Sequence, residues 1–376
     1  GFDSVWVRNR HLQYGISSPV ALLAAAAVRT SRIELGTAVI PLGLENPLRL
    51  AEDLATVDIL SGGRLNPGVS VGVPMRYDDF KTALYPETHA LENFSKDRVV
   101  RLLDNLRGEP VSDFEGTVGI ETFSRRVQPH SPGLADRVWY GGGSSSAIWA
   151  GRQGINYLTS SVVTTEGTES RDFATIQAEH IDAYRAHQVD PDRARVSQGL
   201  VVIPTDSATA DQIRKYRAYA DSRFERTLTP QGPRGLLFSP DLVGPSDELA
   251  ERLYEHAGFQ RATEVAFAEA AARGAQLHAV HAWVDTQIQG PGAGYAVADD
   301  HWQAVRSEKN QLLGKYLDEL MEKYPDVEVT KSITREGPVR ALSGAAEGAQ
   351  LLVTGSHGRG GFKGMLLGST SRALLQ

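Results

Sequence analysis

Ile33-Glu34-Leu35-Gly36-Thr37-Ala38-Val39-Ile40 is an apolar, β-branched run, and Pro47 to Leu60 is an amphipathic segment that stops at Ser61-Gly62-Gly63. A second apolar run, Leu65 to Val71, follows directly. Strand, helix and strand in this order, with little solvent alternation in the strands, describe a parallel pair joined by a helical crossover. The same unit recurs on both sides. Upstream lie a strand at Phe2 to Val7 and a helix at Pro19 to Thr30, where Ser18 before Pro19 marks the N-terminus. Downstream, helices are expected at Phe94–Leu106, Ser145–Gly151, Asp172–His187, Ala210–Phe224 and Asp247–His256. Strands are expected at Val138–Tyr140, Asn156–Ser161 and Val196–Ile203, and Val111 to Val127 reads as an inserted hairpin. Six or more such units favour a closed (β/α) barrel over an open sheet.

The chain has 376 residues, enough for two domains. Their expected extents are 1–259 and 260–376. A net charge of −7 argues against a nucleic-acid or membrane-surface partner. The absence of cysteine excludes disulfides, thiolate zinc sites and cysteine nucleophiles, and it fits a reducing compartment such as the cytoplasm. No apolar run approaches the roughly 20 residues of a membrane-spanning helix. His278 and His281 alternate with apolar residues and read as sheet positions, so no metal site is expected.

The wording of the first units is specific. Gly1-Phe2-Asp3-Ser4-Val5-Trp6-Val7, Leu35 to Val39, Asn46-Pro47-Leu48-Arg49-Leu50-Ala51-Glu52-Asp53, Leu60 to Leu65, and Trp139-Tyr140-Gly141-Gly142-Gly143-Ser144 come in one order. Together they resemble the bacterial luciferase-like flavin monooxygenases over residues 1–259. The resemblance implies a TIM-type (β/α)8 barrel, here lacking its first strand. It also implies FMN, or a deazaflavin, bound at the barrel mouth. The implied chemistry is monooxygenation of a small organic substrate by reduced flavin and O2; a deazaflavin branch transfers hydride instead.

The same resemblance places the cofactor. A non-proline cis bond under the flavin ring falls on Ala38–Val39. Gly142, Gly143, Ser144 and Ser146 join a strand to a helix N-terminus, a geometry suited to the flavin phosphate. Some members carry an arginine near the end of the strand that here reaches Val71, so this chain lacks that charge. Arg64 reads as a surface or fold residue. His11 lies in the loop after Phe2–Val7, where luciferases use a histidine at the flavin, although Arg10 holds the closer-matching position. Arg8 and Arg10 offer an alternative, an anionic substrate. Tyr77, Asp78 and Asp79 fall in a long loop to Phe94 that would either shape the pocket or form solvent-exposed turns.

The C-terminal third differs. Ala262–Arg273 is a helix stopped by Gly274, Leu277–Trp283 a strand, Asp300–Tyr324 a long helix, Val327–Ile333 a strand and Val339–Glu347 a helix. Leu351-Leu352-Val353-Thr354 then runs into Gly355-Ser356-His357-Gly358, with Gly368-Ser369 beyond. Glycines of this spacing let backbone N–H groups approach phosphates. The spacing resembles the nucleotide signature of the universal stress protein family, as do Glu269 to Ala275 and Val280-His281-Ala282-Trp283. That resemblance implies a doubly wound α/β domain binding ATP or AMP through Val280, Gly355, Gly358, Gly368 and Ser369, and it allows a homodimer.

Both resemblances are incomplete. Thr263 to Phe267 could be the barrel's last strand or the first stress-protein helix, and the strand that usually supplies an aspartate to the nucleotide is missing. A truncated or joined polypeptide is therefore expected in preference to a genuine fusion. The sequence thus reads as a flavin-dependent oxidoreductase with a nucleotide-binding domain. The competing class is a non-catalytic nucleotide sensor with a barrel scaffold.

Overall fold

The computed structural model describes residues 4–191, 193–254, 257–282, 299–334 and 338–349. Its first strand, β1 (Ser4–Val7), leads to α1 (Pro19–Ala27), where the Ser18 hydroxyl accepts the Ala21 N–H and Pro19 opens the helix. The next strand is interrupted. Β2 (Glu34–Thr37) and β3 (Ile40–Pro41) flank a cis Ala38–Val39 bond. Helix α2 (Pro47–Ser61) is capped by Asn46, whose side chain accepts from Leu48 and Arg49, and it ends on Gly62 at φ 70°. A left-handed stop of this kind suits glycine, which has no Cβ to clash.

β4 (Leu65–Asn66) and β5 (Gly68–Ser70) form the third strand, broken at Pro67. Helices α3 (Tyr77–Leu84) and α4 (Asp97–Arg107) follow. The expected hairpin is present as β6 (Gly116–Val118) and β7 (Glu121–Phe123), paired antiparallel. Then come β8 (Trp139–Gly141), α5 (Ser144–Gln153), β9 (Asn156–Leu158), β10 (Val162–Thr164), α6 (Phe173–Ala186) and β11 (Val196–Ser197).

The ladders follow the chain. β1 pairs with β2 and β2 with β4; β3 pairs with β5, β5 with β8, β8 with β9 and β9 with β11, all parallel. Six successive strand segments thus lie side by side in chain order, the arrangement of a (β/α) barrel wall. Among the described residues no ladder links the far side back to β1. Instead β12 (Val201–Pro204) pairs in parallel with β14 (Asp241–Gly244), and β13 (Leu236–Phe238) pairs antiparallel with β10. α7 (Ala210–Asp221), α8 (Glu225–Leu228) and α9 (Ser246–Tyr254) decorate this half.

The helices cover the wall. Leu23, Leu50, Leu54, Val99, Leu102 and Leu106 pack against Leu35, Leu65, Val69 and Val138 in one core. Arg64 ties its edge together: its guanidinium donates to the carbonyls of Ala27, Thr30, Ile33 and Ser61. The Ser-Gly-Gly-Arg stretch is therefore a joint between α1, α2 and β2, as expected of a fold residue. Inside the wall, Trp6 and Trp139 meet edge to face at 5.7 Å. Below them Asn66 accepts from the Trp139 indole and from Arg195, whose second nitrogen lies 3.5 Å from Glu34. This polar plug fills the end of the wall where β2, β8 and β9 begin.

Helix α10 (Ala257–Arg273) runs unbroken through the 259/260 position. Thr263 to Phe267 is thereby helical and not an eighth strand. Beyond it, β15 (Leu277–Ala282) and β16 (Val329–Thr334) pair in parallel across the long helix α11 (Asp299–Lys323), and α12 (Pro338–Ala345) follows. Phe267, Ala270, Leu317, Leu320 and Val327 form a separate small core.

Two expectations are corrected. Residues 77–84 are helical, because Tyr77 is buried against Phe80 and Phe94 and anchors the turn. Val196–Ile203 is two strands and not one, because the strand pairing stops over residues 198–200, where the Gly199 N–H donates to the Thr159 hydroxyl.

Candidate functional site

A cavity of about 650 Å³ opens at the C-terminal ends of the parallel strands. Most of its lining comes from strand ends and the loops that follow them: Trp6 of β1 and Arg8 to His11, Ala38 and Val39 between β2 and β3, Ser70 of β5, Gly141 of β8 and Gly142, Leu158 of β9 and Thr159 to Ser161, and Ser197 of β11 with Gln198 to Leu200. Strand ends and their loops are where barrel enzymes assemble their sites. Of the expected site residues, His11, Ala38, Val39 and Gly142 reach this wall directly.

The glycine turn is shaped by close packing. A Cβ on Gly142 would stand 2.4 Å from the Ser146 hydroxyl and 2.5 Å from its Cβ, so only glycine fits there. Its carbonyl accepts a 2.7 Å hydrogen bond from the Tyr157 hydroxyl, and the Tyr157 ring stacks on Tyr184. Burial pushes the Tyr157 phenol well above its ordinary value and that of Tyr184 up to about 12. Both stay protonated donors. Ser146 faces Tyr140, and their side-chain hydrogen bond offsets part of the upward push that burial gives Tyr140.

Helix α5 begins just behind this turn. Gly143, its N-cap, has no side chain to satisfy the first turn. Ser146 and Ala147 donate to the Gly143 carbonyl, whereas the N–H groups of Ser144 and Ser145 have no protein acceptor among the described residues. Such a bare helix start suits an anion. Lys96 stands beside it: its ammonium is 3.4 Å from the Ser145 carbonyl and 5.3 Å from the Trp149 ring centre. Burial holds Lys96 below its ordinary value. Sequence reasoning missed this residue, since nothing local in Ser95-Lys96-Asp97 points to a turn 49 residues away.

On the opposite side, the loop after β1 brings Arg8, Asn9, Arg10 and His11 to the cavity. Neither polar atom of Asn9 has a partner, and the same holds for His11 Nε2. Burial holds the His11 imidazole below its ordinary value, so it is neutral at pH 7. Met75, Pro74 and Phe80 form the lip, whereas Asp78 and Asp79 face away in ion pairs with Lys81 and Arg76. The acidic pair named from sequence is thus not part of the wall.

With this geometry in place, the comparisons become specific. The model of the luciferase-like monooxygenase family matches residues 1–303. The chain belongs to the luciferase-like monooxygenase family. The universal stress protein family model matches residues 257–376, so the chain also carries a domain of that family, and the two matches overlap over 257–303. The chain is 41% identical over 147 residues to universal stress protein Rv2005c of Mycobacterium tuberculosis (strain ATCC 25618 / H37Rv), covering 38% of this chain and 48% of that protein. It spans about half the length of that relative.

Two solved structures are also similar. One is the oxygenating constituent of 3,6-diketocamphane monooxygenase from Pseudomonas putida in complex with FMN, at 17% identity and TM-score 0.41 over 69% of this chain and 68% of that one. The other is an F420-dependent secondary alcohol dehydrogenase with an F420-acetone adduct, at 15% identity and TM-score 0.44 over 68% of this chain and 81% of that one.

In the stress-protein domain, Val280 sits in β15 opposite Ser332 of β16. His278 bonds the Ser332 hydroxyl at 2.7 Å, the sheet role expected of it. Gly355, Gly358, Gly368 and Ser369 lie outside the described residues. No helix of the described residues is long and apolar enough to cross a membrane.

Proposed function

We propose that the barrel is a flavin-dependent oxidoreductase that binds FMN, or a deazaflavin, in the 650 Å³ cavity and acts on a small organic substrate. The observation that carries this reading is one continuous wall: Ala38–Val39, then Gly141 and Gly142, leading to an α5 start whose first N–H groups are free. The chain's residues fit such a group. A planar ring has the Ala38–Val39 edge beneath it, and an anionic tail has the N–H groups of Ser144 and Ser145 with Lys96 beside them.

When bound, the flavin supplies electron transfer and, with O2, oxygenation of the substrate. The protein's share is positioning and the exclusion of water. The Tyr157 bond fixes the glycine turn. Trp6, Val39, Leu158 and Trp139 form an apolar floor. The neutral imidazole of His11 can accept a proton through its unpaired Nε2 without first losing one.

The test is an FMN titration followed by fluorescence quenching. A Ser146→Ala, Gly143→Val double variant should bind more weakly; unchanged affinity refutes the placement. Co-purification of ATP with no flavin absorbance would favour the nucleotide sensor instead.

The stress-protein domain extends the proposal. Its ligand is an adenine nucleotide, ATP or AMP, held by Val280, Gly355, Gly358, Gly368 and Ser369. Calorimetry with ATP should give binding in the wild-type chain and a clear loss in a Gly358→Ala, Gly368→Ala variant, with the fold checked by circular dichroism.

A further inference from the structure

The cavity is charged on one side only. Arg8 and Arg10 both line it, with Asn9 between them, and among the described residues its wall contains no aspartate or glutamate. Among the described residues neither guanidinium makes an ion pair. Burial and the like charge of Arg10 together hold Arg8 below its ordinary value, which is what two cations without a counterion produce.

The second observation is independent of charge. Asn9 is only 6% exposed, and both its amide nitrogen and its carbonyl oxygen lack partners; His11 Nε2 is buried and lacks one too. Buried polar atoms are ordinarily paired, and leaving one unpaired is costly. A cluster of unpaired groups beside two uncompensated cations, all on one side of a cavity, is a recognition surface awaiting an acceptor. The rest of the lining is uncharged: an apolar part formed by Trp6, Leu44, Met75, Phe80, Leu158 and Leu200, and a hydroxyl-bearing part at Thr159, Ser160 and Ser161.

We infer that Arg8 and Arg10, with Asn9 between them, bind the carboxylate of an amphiphilic organic acid whose apolar body lies against the cavity's hydrophobic walls. This rests on the flavin reading for its catalytic meaning, because it names the substrate class of that same cavity. The cofactor's own phosphate is a different anion with a different place. β1 is separated from β8 by β2–β3 and by β4–β5, three strand spacings, or about 14 Å at roughly 4.8 Å each. The arginines therefore face the Ala38–Val39 edge from the side away from α5, where a substrate approaches a ring whose tail points to Ser144.

The full chain separates these possibilities by calorimetry with benzoate and with benzamide, its neutral analogue, each with and without FMN. Benzoate should bind at least about tenfold tighter than benzamide, as expected for charge-assisted bonds to guanidinium. An Arg8→Gln, Arg10→Gln variant should lose that preference and keep its FMN titration. An Arg8→Lys, Arg10→Lys variant keeps the charge and should retain part of the preference, which guards against a mere folding defect. Equal affinity for the two probes, or no saturable benzoate heat, overturns the inference. So does a glutamine variant that keeps the benzoate preference but no longer distinguishes FMN from riboflavin, since the arginines then serve the cofactor phosphate. Failure of the wild-type chain to bind FMN, with the benzoate preference intact, sinks the flavin reading and leaves the carboxylate site standing.

Discussion

Gly142→Ala offers the sharpest probe of the glycine turn. The added methyl would lie 2.4 Å from the Ser146 hydroxyl and 2.5 Å from Ser146 Cβ. The second contact is the decisive one. A hydroxyl can rotate away, but Cβ is fixed by the backbone of α5, so either the turn or the helix start must move. Overpacking of this kind costs about 1–3 kcal/mol. The displacement falls on the Tyr157–Gly142 bond of 2.7 Å and on the N–H groups offered to the anion. FMN affinity should therefore drop by roughly 5–150-fold if that cost falls on the bound state. Ser146→Gly removes both clashing atoms. The Gly142→Ala, Ser146→Gly double variant should recover most of the lost thermal stability, less about 1 kcal/mol for glycine in a helix, and should stay below wild type in FMN affinity by what the Ser146 hydroxyl contributes. Fluorescence quenching by the four proteins of this cycle, with thermal melts alongside, gives the coupling directly. Wild-type FMN affinity in Gly142→Ala, or a double variant as unstable as the single one, refutes the steric argument.

Three further outcomes are expected. Lys96→Gln should weaken FMN by roughly 3–10-fold and riboflavin hardly at all, because the lost interaction is with the phosphate; equal losses for both ligands count against it. Asp58 is fully buried and accepts from the Leu65 N–H, the Ser131 hydroxyl and Arg137, so Asp58→Ala should cost about 3–5 kcal/mol in a urea titration. His11 and His180 are both held below their ordinary value by burial. Below about pH 6.5 the unfolded chain then binds protons that the folded one does not, so stability should rise with pH through that window and level off above it. Melts across pH 5 to 8 check this, and a His11→Asn, His180→Asn variant should flatten the slope.

The sequence disclosed the barrel wall where chemistry was local. Ser18-Pro19, Pro47 and Gly62 punctuate helices at the residues they mark, because caps and stops act within one turn. The apolar runs before Thr37 and Tyr140 are strands because both faces are covered. Less was visible where the partner is distant. Leu236 to Phe238 is too short to declare a strand, and only its antiparallel pairing with Val162 to Thr164 makes it one. α3 was hidden because its packing depends on Phe94, outside the segment. In the site, His11, Ala38, Val39 and Gly142 were legible as residue types in a familiar order. The lack of a carboxylate among the described residues of the cavity wall that holds Arg8 and Arg10 was not, since it is a property of six strands taken together.

The polar plug at the closed end has a kinetic meaning. Trp139 and Asn66 are buried, and Arg195 lies over the Trp139 ring at 5.0 Å, so ligands have no route past that end among the described residues. A ligand in the cavity therefore exchanges away from the plugged end. Whatever seats against the Ala38–Val39 floor goes in first and departs last, and a molecule held at the arginine rim stands in its path. On the proposed function, excess of a carboxylate ligand at the arginines should slow the exchange of FMN, a dependence that stopped-flow quenching reads.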